Sequence, residues 1–242
     1  MTDIPFIQPD QGALILVNKP LTWTSFDVVQ KIKWTLKFFY GKDIKVGHAG
    51  TLDPLASGLL VICTGKMTRQ IDQFQAGEKE YTGTFYMGAT TPSLDHETPI
   101  EKEFPAAHLN LTLLQEAAGK FLGEQDQIPP LHSAKWIDGK RAYKIARAGK
   151  EADVPPARVT IHEFEITAFE PPLVHFRVVC SKGTYIRSLA RDFGLACNSA
   201  AFLNSLVRTR SGSFSLKDAY EVEEFCALFP AQFSREEVKR KK

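Results

Sequence analysis

Residues 47–58 read Gly-His-Ala-Gly-Thr-Leu-Asp-Pro-Leu-Ala-Ser-Gly, so three glycines and a proline fold tightly around one carboxylate, Asp53. Proline fixes its own φ and drives the residue before it into extended backbone, which leaves Asp53 on a stiff segment between Leu52 and Pro54. A nucleophile or general base needs such positioning. The same dipeptide also reads as an ordinary Asp-Pro turn. A phosphate cradle does not fit, because Gly65-Lys66 is followed by Met67 and the GxGxxG spacing is missing. In a second segment, Ser181-Lys182-Gly183-Thr184-Tyr185-Ile186-Arg187, an apolar run enters a glycine turn ahead of a helical pattern. Arg187 could form a two-pronged ion pair with a carboxylate and keep it charged. It could equally be a surface arginine of that helix.

Such residues act only if rigid elements hold them. Residues 12–17 form a candidate buried strand, closed by Asn18-Lys19-Pro20. Thr24 and Ser25 suit the N-cap of a helix that carries Phe26, Val29, Lys33 and Leu36 and ends at Gly41. Residues 59–63 read as a buried strand, and Met67, Ile71 and Phe74 as one face of a helix. Residues 81–87 alternate as a strand, and 90–100 form a loop with two prolines. Asn110 caps a helix whose apolar face would run through Leu114, Ala117, Ala118, Phe121 and Leu122. Further on, the pattern predicts a short basic helix at 141–148 and strands at 159–169 and 173–180. It also predicts a helix at 183–196, strand and turn at 203–214, and a last helix capped by Asp218 and ended by Pro230. Helices and strands mix without regular βαβ repeats, which implies an α+β fold with a mixed sheet. No linker divides residues 1–242, so a single domain is expected, from which the basic, proline-flanked stretch 124–152 projects as an insertion.

The composition is that of a globular chain with ample core material: of 242 residues, 43% are hydrophobic and 24% charged. A net charge of +2 does not announce a nucleic-acid binder, but its distribution is uneven. Residues 131–150 hold six basic side chains against Asp138, and the tail 235–242 holds five against Glu236 and Glu237. Such clusters neutralise phosphates, or form a solvated helix face and a frayed tail. Cys63, Cys180 and Cys226 sit in apolar runs as buried reduced thiols, and no two of the four cysteines form a CxxC clip. The N-terminus lacks signal-peptide character and no run reaches membrane-spanning length, so a cytoplasmic protein is expected. Without metal-spaced ligands or a dinucleotide fingerprint, no metal and no cofactor is expected.

Taken together, the segments carry a family resemblance. Asn18-Lys19-Pro20, Thr24-Ser25, GHAGTLDPLASGLL at 47–60, Lys79-Glu80-Tyr81, Gln127-Ile128-Pro129-Pro130, Ser133-Ala134, Gly139-Lys140-Arg141-Ala142-Tyr143, SKGTYIRSLARD at 181–192 and residues 203–208 follow one another over nearly the whole chain. In this order the sequence resembles the TruB family of bacterial tRNA pseudouridine synthases. The resemblance implies a mainly antiparallel sheet flanked by helices, with the insertion at 124–152 as a thumb over an RNA loop. It makes Asp53 the catalytic aspartate, Arg187 its ion-pair partner, and Tyr81 the ring that stacks on a flipped uracil and takes part in proton transfer. His48 fills the space the base vacates. Asp95, Tyr185, Lys182 and Leu203 surround the base pocket, and Lys19 with Pro20 packs nearby.

The implied chemistry is an isomerisation of uridine 55 in the T-loop of tRNA, with Asp53 attacking either ribose C1′ or uracil C6. The base must leave its stack at a cost of about a few kcal/mol, offset by His48 and by stacking on Tyr81. The partner is then the T-arm of tRNA, and the protein a monomer. An RNA-folding chaperone without essential chemistry is the alternative, and a carboxylate hydrolase using Asp53 and Asp95 a third. The sequence departs from the family at Asn18 and His132, and at Thr98 in the Asp95 loop. The stretch after Phe214 is too short for the C-terminal PUA domain of many relatives, which leads us to expect none.

Overall fold

Thr24 starts the first helix. In the computed structural model, which describes residues 7–9, 11–131, 136–137, 140–141 and 154–240, its hydroxyl accepts from the Asp27 N–H and the Asp27 carboxylate accepts from the Thr24 N–H. This reciprocal box is worth about 1 kcal/mol and fixes the helix phase. The buried stripe, set by packing against the sheet, is Val28, Val29, Ile32 and Leu36, while Phe26, expected on it, is exposed. Gly41 closes the helix in the left-handed conformation, as the sequence predicts.

In chain order the elements are β1 (Leu14–Lys19), α1 (Ser25–Tyr40), β2 (Val46–His48), β3 (Ala56–Thr64), α2 (Ile71–Ala76), β4 (Lys79–Met87), β5 (Ala89–Thr90), β6 (Lys102–Glu103) and α3 (Leu111–Gly119). They continue with β7 (Gly123–Gln127), β8 (Trp136–Ile137), β9 (Lys140–Arg141), β10 (Ala157–Glu170), β11 (Leu173–Cys180) and α4 (Ile186–Ala196). The last are β12 (Ala201–Ser211), β13 (Phe214–Ser215), β14 (Tyr220–Glu221), α5 (Val222–Ala227) and α6 (Arg235–Arg240). The fold is α+β with a mixed, mainly antiparallel sheet, as expected. The chain divides into two compact units, residues 1–79 with 207–242, and residues 80–206.

In the first unit the strand order is β14-β1-β3-β12, with β2 and β13 added at β3 and β12. The β1–β3, β2–β3 and β12–β13 pairs are antiparallel and β1–β14 is parallel. Leu60 and Ile62 of β3 pack with Val28, Ile32, Leu36 and Phe225, while Leu59 and Val61 pack with Ala49 and Phe74 on the other face. Coverage on both faces explains why this strand reads as an unbroken apolar run.

In the second unit the order is β12-β4-β11-β10-β7. The β10–β11 and β10–β7 pairs are antiparallel. Phe85 stacks on Phe176 with centroids 4.1 Å apart, and Phe164, Phe193 and Phe121 surround them edge-on or tilted. Several boundaries differ from expectation. Gly183 is left-handed at φ 83°, so the helix expected from 183 begins at Ile186. Helix α3 ends at Gly119, which takes Phe121 and Leu122 out of its period and leaves Leu122 exposed. The last part of the chain holds two helices, and Glu221 rather than Asp218 precedes the first. Of the helix expected at 141–148, Arg141 pairs as strand β9 with β8. The remaining residues of that helix, and most of the expected insertion, lie outside the described residues, as do Lys241 and Lys242.

Candidate active site

In the first unit, β2 leads into the Asp53 loop and β3 leads out of it, the two strands pairing antiparallel as a clamp at its base. The Ser25 hydroxyl, on the first turn of α1, donates to the Leu52 carbonyl at 3.1 Å and accepts from the Leu52 N–H at 2.9 Å. On the other side of Asp53, the Pro54 carbonyl accepts from the Thr22 N–H at 2.8 Å, and the Asp53 carbonyl accepts from the Ala56 N–H at 3.1 Å. The backbone is thus held before and after Asp53, as the Leu-Asp-Pro sequence predicts, and the half-buried side chain projects from a fixed base.

Lys19, the last residue of β1, is fully buried. Its ammonium donates to the carbonyls of Pro20 at 2.9 Å and Trp23 at 2.6 Å. Burial pushes its pKa down to about 8, with the Asp53 charge opposing the fall and the Arg208 charge adding to it. His48 ends β2. Burial above all, and the Arg208 charge next, hold its imidazole below the ordinary value, which favours the neutral ring at pH 7.

A base whose folded pKa is lowered costs stability while both states are protonated, and the cost vanishes as the unfolded state loses its proton. Lys19 therefore makes stability rise with pH between about 8 and its ordinary value of 10.5. We expect Lys19→Met to remove that rise from urea-unfolding curves collected over this range. An identical pH slope in the variant would rule out Lys19 as its source.

In the second unit, Arg187 is buried in the first turn of α4 and forms an ion pair with Asp95, Nε to Oδ2 at 3.6 Å. It also donates to the Ser93 carbonyl at 3.2 Å. The other oxygen of Asp95 accepts from the Glu97 N–H at 2.9 Å, so the Asx-type turn and the charged role coexist in one carboxylate. Leu203, buried on β12, donates its N–H to the Leu94 carbonyl at 2.9 Å and so borders the same loop. Tyr81 is buried on β4, the neighbour of β12, and Lys182 is exposed in the turn before α4. Asp53, His48 and Lys19 thus gather in the first unit, and Arg187, Asp95 and Leu203 in the second.

Two contributors carry no role in the sequence reading. Gln127, buried at the end of β7, forms a two-point pair with Tyr185: its Nε2 donates to the Tyr185 carbonyl at 3.1 Å and its Oε1 accepts from the Tyr185 N–H at 2.8 Å. The Ser188 hydroxyl and the Arg191 guanidinium donate to the Ile128 carbonyl, extending the strap. No side chain of its own caps α4 at Tyr185, and Gln127 instead holds the backbone of that residue at both its N–H and its carbonyl. We expect Gln127→Leu to leave Tyr185 with two lost bonds, at about 1–3 kcal/mol of stability, and to lower turnover more than RNA affinity. Unchanged turnover in a variant of lowered melting temperature would limit Gln127 to folding. Arg208, the second contributor, lies fully buried beneath the Asp53 loop.

Two solved structures share this fold. The protein superposes with a TM-score of 0.65 and 26% identity on a chain of an H/ACA RNP bound to a substrate RNA containing 2′-deoxyuridine, over 90% of this chain and 53% of that one. A chain of a Cbf5-Nop10-Gar1 complex gives a TM-score of 0.64 at 30% identity, over 85% of this chain and 50% of that one. This chain spans about half the length of both. Residues 37–186 match the family described as TruB family pseudouridylate synthase (N terminal domain). The tRNA pseudouridine synthase B of Flavobacterium johnsoniae is 54% identical over 217 residues, 89% of this chain and 95% of that protein. That of Phocaeicola vulgatus is 50% identical over 216 residues, 89% and 92%. The chain belongs to the TruB family of pseudouridylate synthases, and is an enzyme of the isomerase class.

Proposed function

We propose that this protein converts uridine 55 in the T-loop of tRNA to pseudouridine, acting as a monomer in the cytoplasm. Its identity to relatives named tRNA pseudouridine synthase B supports the substrate. The observation that carries the chemistry is the loop that pins the backbone on both sides of Asp53 while leaving its side chain half-buried. The C1′–N1 bond breaks, the C1′–C5 bond forms, the C5 proton leaves and N1 takes one up, so no atoms are gained. In this reading Asp53 is the nucleophile, at C1′ or C6. Arg187 holds it charged, Asp95 holds Arg187, and Tyr81 stacks on the extruded base. His48, as a neutral ring, occupies the vacated position without the desolvation cost of a cation. Tyr185, Lys182 and Leu203 line the approach of the base, and Lys19 supports the loop.

The test is carbodiimide mapping of an unmodified tRNA transcript after incubation with the purified protein. A single new stop at uridine 55 is expected. A stop elsewhere would refute the position, and no stop at all the activity.

A further inference from the structure

Arg208 is 1% exposed, and its described hydrogen bonds all run to main-chain carbonyls. Nε donates to the Leu59 carbonyl at 2.8 Å and Nη2 to the Gly50 carbonyl at 3.1 Å. These two acceptors bracket Asp53, one three residues before it and one six after. The loop is built to let this residue approach: a Cβ on Gly50 would lie 3.5 Å from the Arg208 Nη1, and Gly58 leaves room for the Arg208 backbone. Gly50 and Gly58 have φ of 101° and 104°, and a Cβ on Gly58 would fall 2.5 Å from the Arg208 carbonyl oxygen. Among the described residues no carboxylate lies within ion-pair distance of Arg208, whereas the buried Arg187 has Asp95.

Burying a cation costs several kcal/mol, and carbonyl dipoles repay only part of it. A hydrophobic side chain would stabilise the same space more cheaply, so packing alone does not account for a guanidinium here. We infer that Arg208 is the positioning residue of the Asp53 loop, its guanidinium tying the loop at both ends and its charge standing beneath it without an ion-pair partner among the described residues.

This rests on the proposed isomerase reading for its functional meaning, but the strap itself does not depend on it. With Lys19, Arg208 places two buried cations under a loop that carries one carboxylate, an arrangement that favours charged Asp53. The same charge acts on His48, and it is the charged group that does so. Lys19 feels it as well, alongside Asp53 and Asp27.

The experiment compares Arg208→Lys and Arg208→Met in the full chain, with two readouts. One is single-turnover rate and affinity on the tRNA transcript, and the other is the titration midpoint of His48 by NMR of ring-labelled protein. Arg208→Lys keeps the charge but cannot span both carbonyls. Its expected result is a rate lower by roughly 10- to 100-fold, affinity within about twofold, and an unchanged His48 midpoint. Arg208→Met removes the charge too, so the His48 midpoint should rise. A wild-type rate in Arg208→Lys would overturn the strap. An unmoved His48 midpoint in folded Arg208→Met would overturn the charge. If Arg208→Met does not fold, His48 titration with and without bound transcript in Arg208→Lys decides the matter, a wild-type response in both states together with a wild-type rate overturning the proposal. Should wild type itself fail to modify the transcript, the isomerase reading falls while the His48 comparison still judges Arg208.

Discussion

Asp53→Asn is expected to leave a folded protein that binds tRNA with near wild-type affinity and turns it over at least ~10⁴-fold more slowly, about 5.4 kcal/mol of lost transition-state stabilisation. The substitution is nearly isosteric. The hydrogen bonds that fix the loop use the Leu52, Asp53 and Pro54 backbone and the Ser25 hydroxyl, none of which the change removes. What disappears is the charge that attacks in the proposed mechanism. The neutral amide also withdraws the negative neighbour that helps keep Lys19 protonated, so the Lys19 midpoint should fall further below about 8. Single-turnover tritium release from C5-labelled tRNA, with filter binding beside it, checks the first claim. Residual release within tenfold of wild type would exclude Asp53 as nucleophile.

How much of this is legible in the sequence depends on the range of the interaction. Local rules hold. The Thr24 cap, the Gly41 stop, the stiff Leu-Asp-Pro turn and the unbroken apolar strand after it depend on neighbours in sequence. Phe26 departs from its expected place because it lies at the edge of the buried stripe, about 60° from Val29 but roughly 160° from Val28. Leu122 departs because the helical period does not run past the terminus at Gly119. Arg208 is hidden for a longer-range reason. In Leu-Val-Arg-Thr-Arg-Ser it looks like the polar half of an alternating strand, and only the pairing of β12 beside β3 puts it under the Asp53 loop. Gln127 is similar, since its partner lies 58 residues away. Asp95 reads either as a turn residue or as a site residue, and its two oxygens serve both tasks because each has a separate partner.

That division of labour makes Arg187 the second position of large effect. Arg187→Met strands Asp95 as a buried, unpaired carboxylate, and breaking such a pair costs about 3–5 kcal/mol. For a chain of this size that is a fall in melting temperature of roughly 6–20 °C. Arg187→Lys keeps a cation but loses the fork that reaches the Ser93 carbonyl and Asp95 together, and should slow turnover by about 10²- to 10³-fold with little change in RNA affinity. The double variant Arg187→Met/Asp95→Asn separates fold from chemistry. Neutralising both partners removes the stranded charge, so much of the lost melting temperature should return. On the proposed role of Arg187, turnover should not return, because its cation is not restored. Calorimetry and single-turnover rates on the three variants give the answer. Recovery of turnover together with stability in the double variant would mean that Arg187 serves only to neutralise Asp95, and the catalytic partner of Asp53 would have to be sought among the cations of its own unit, Lys19 and Arg208.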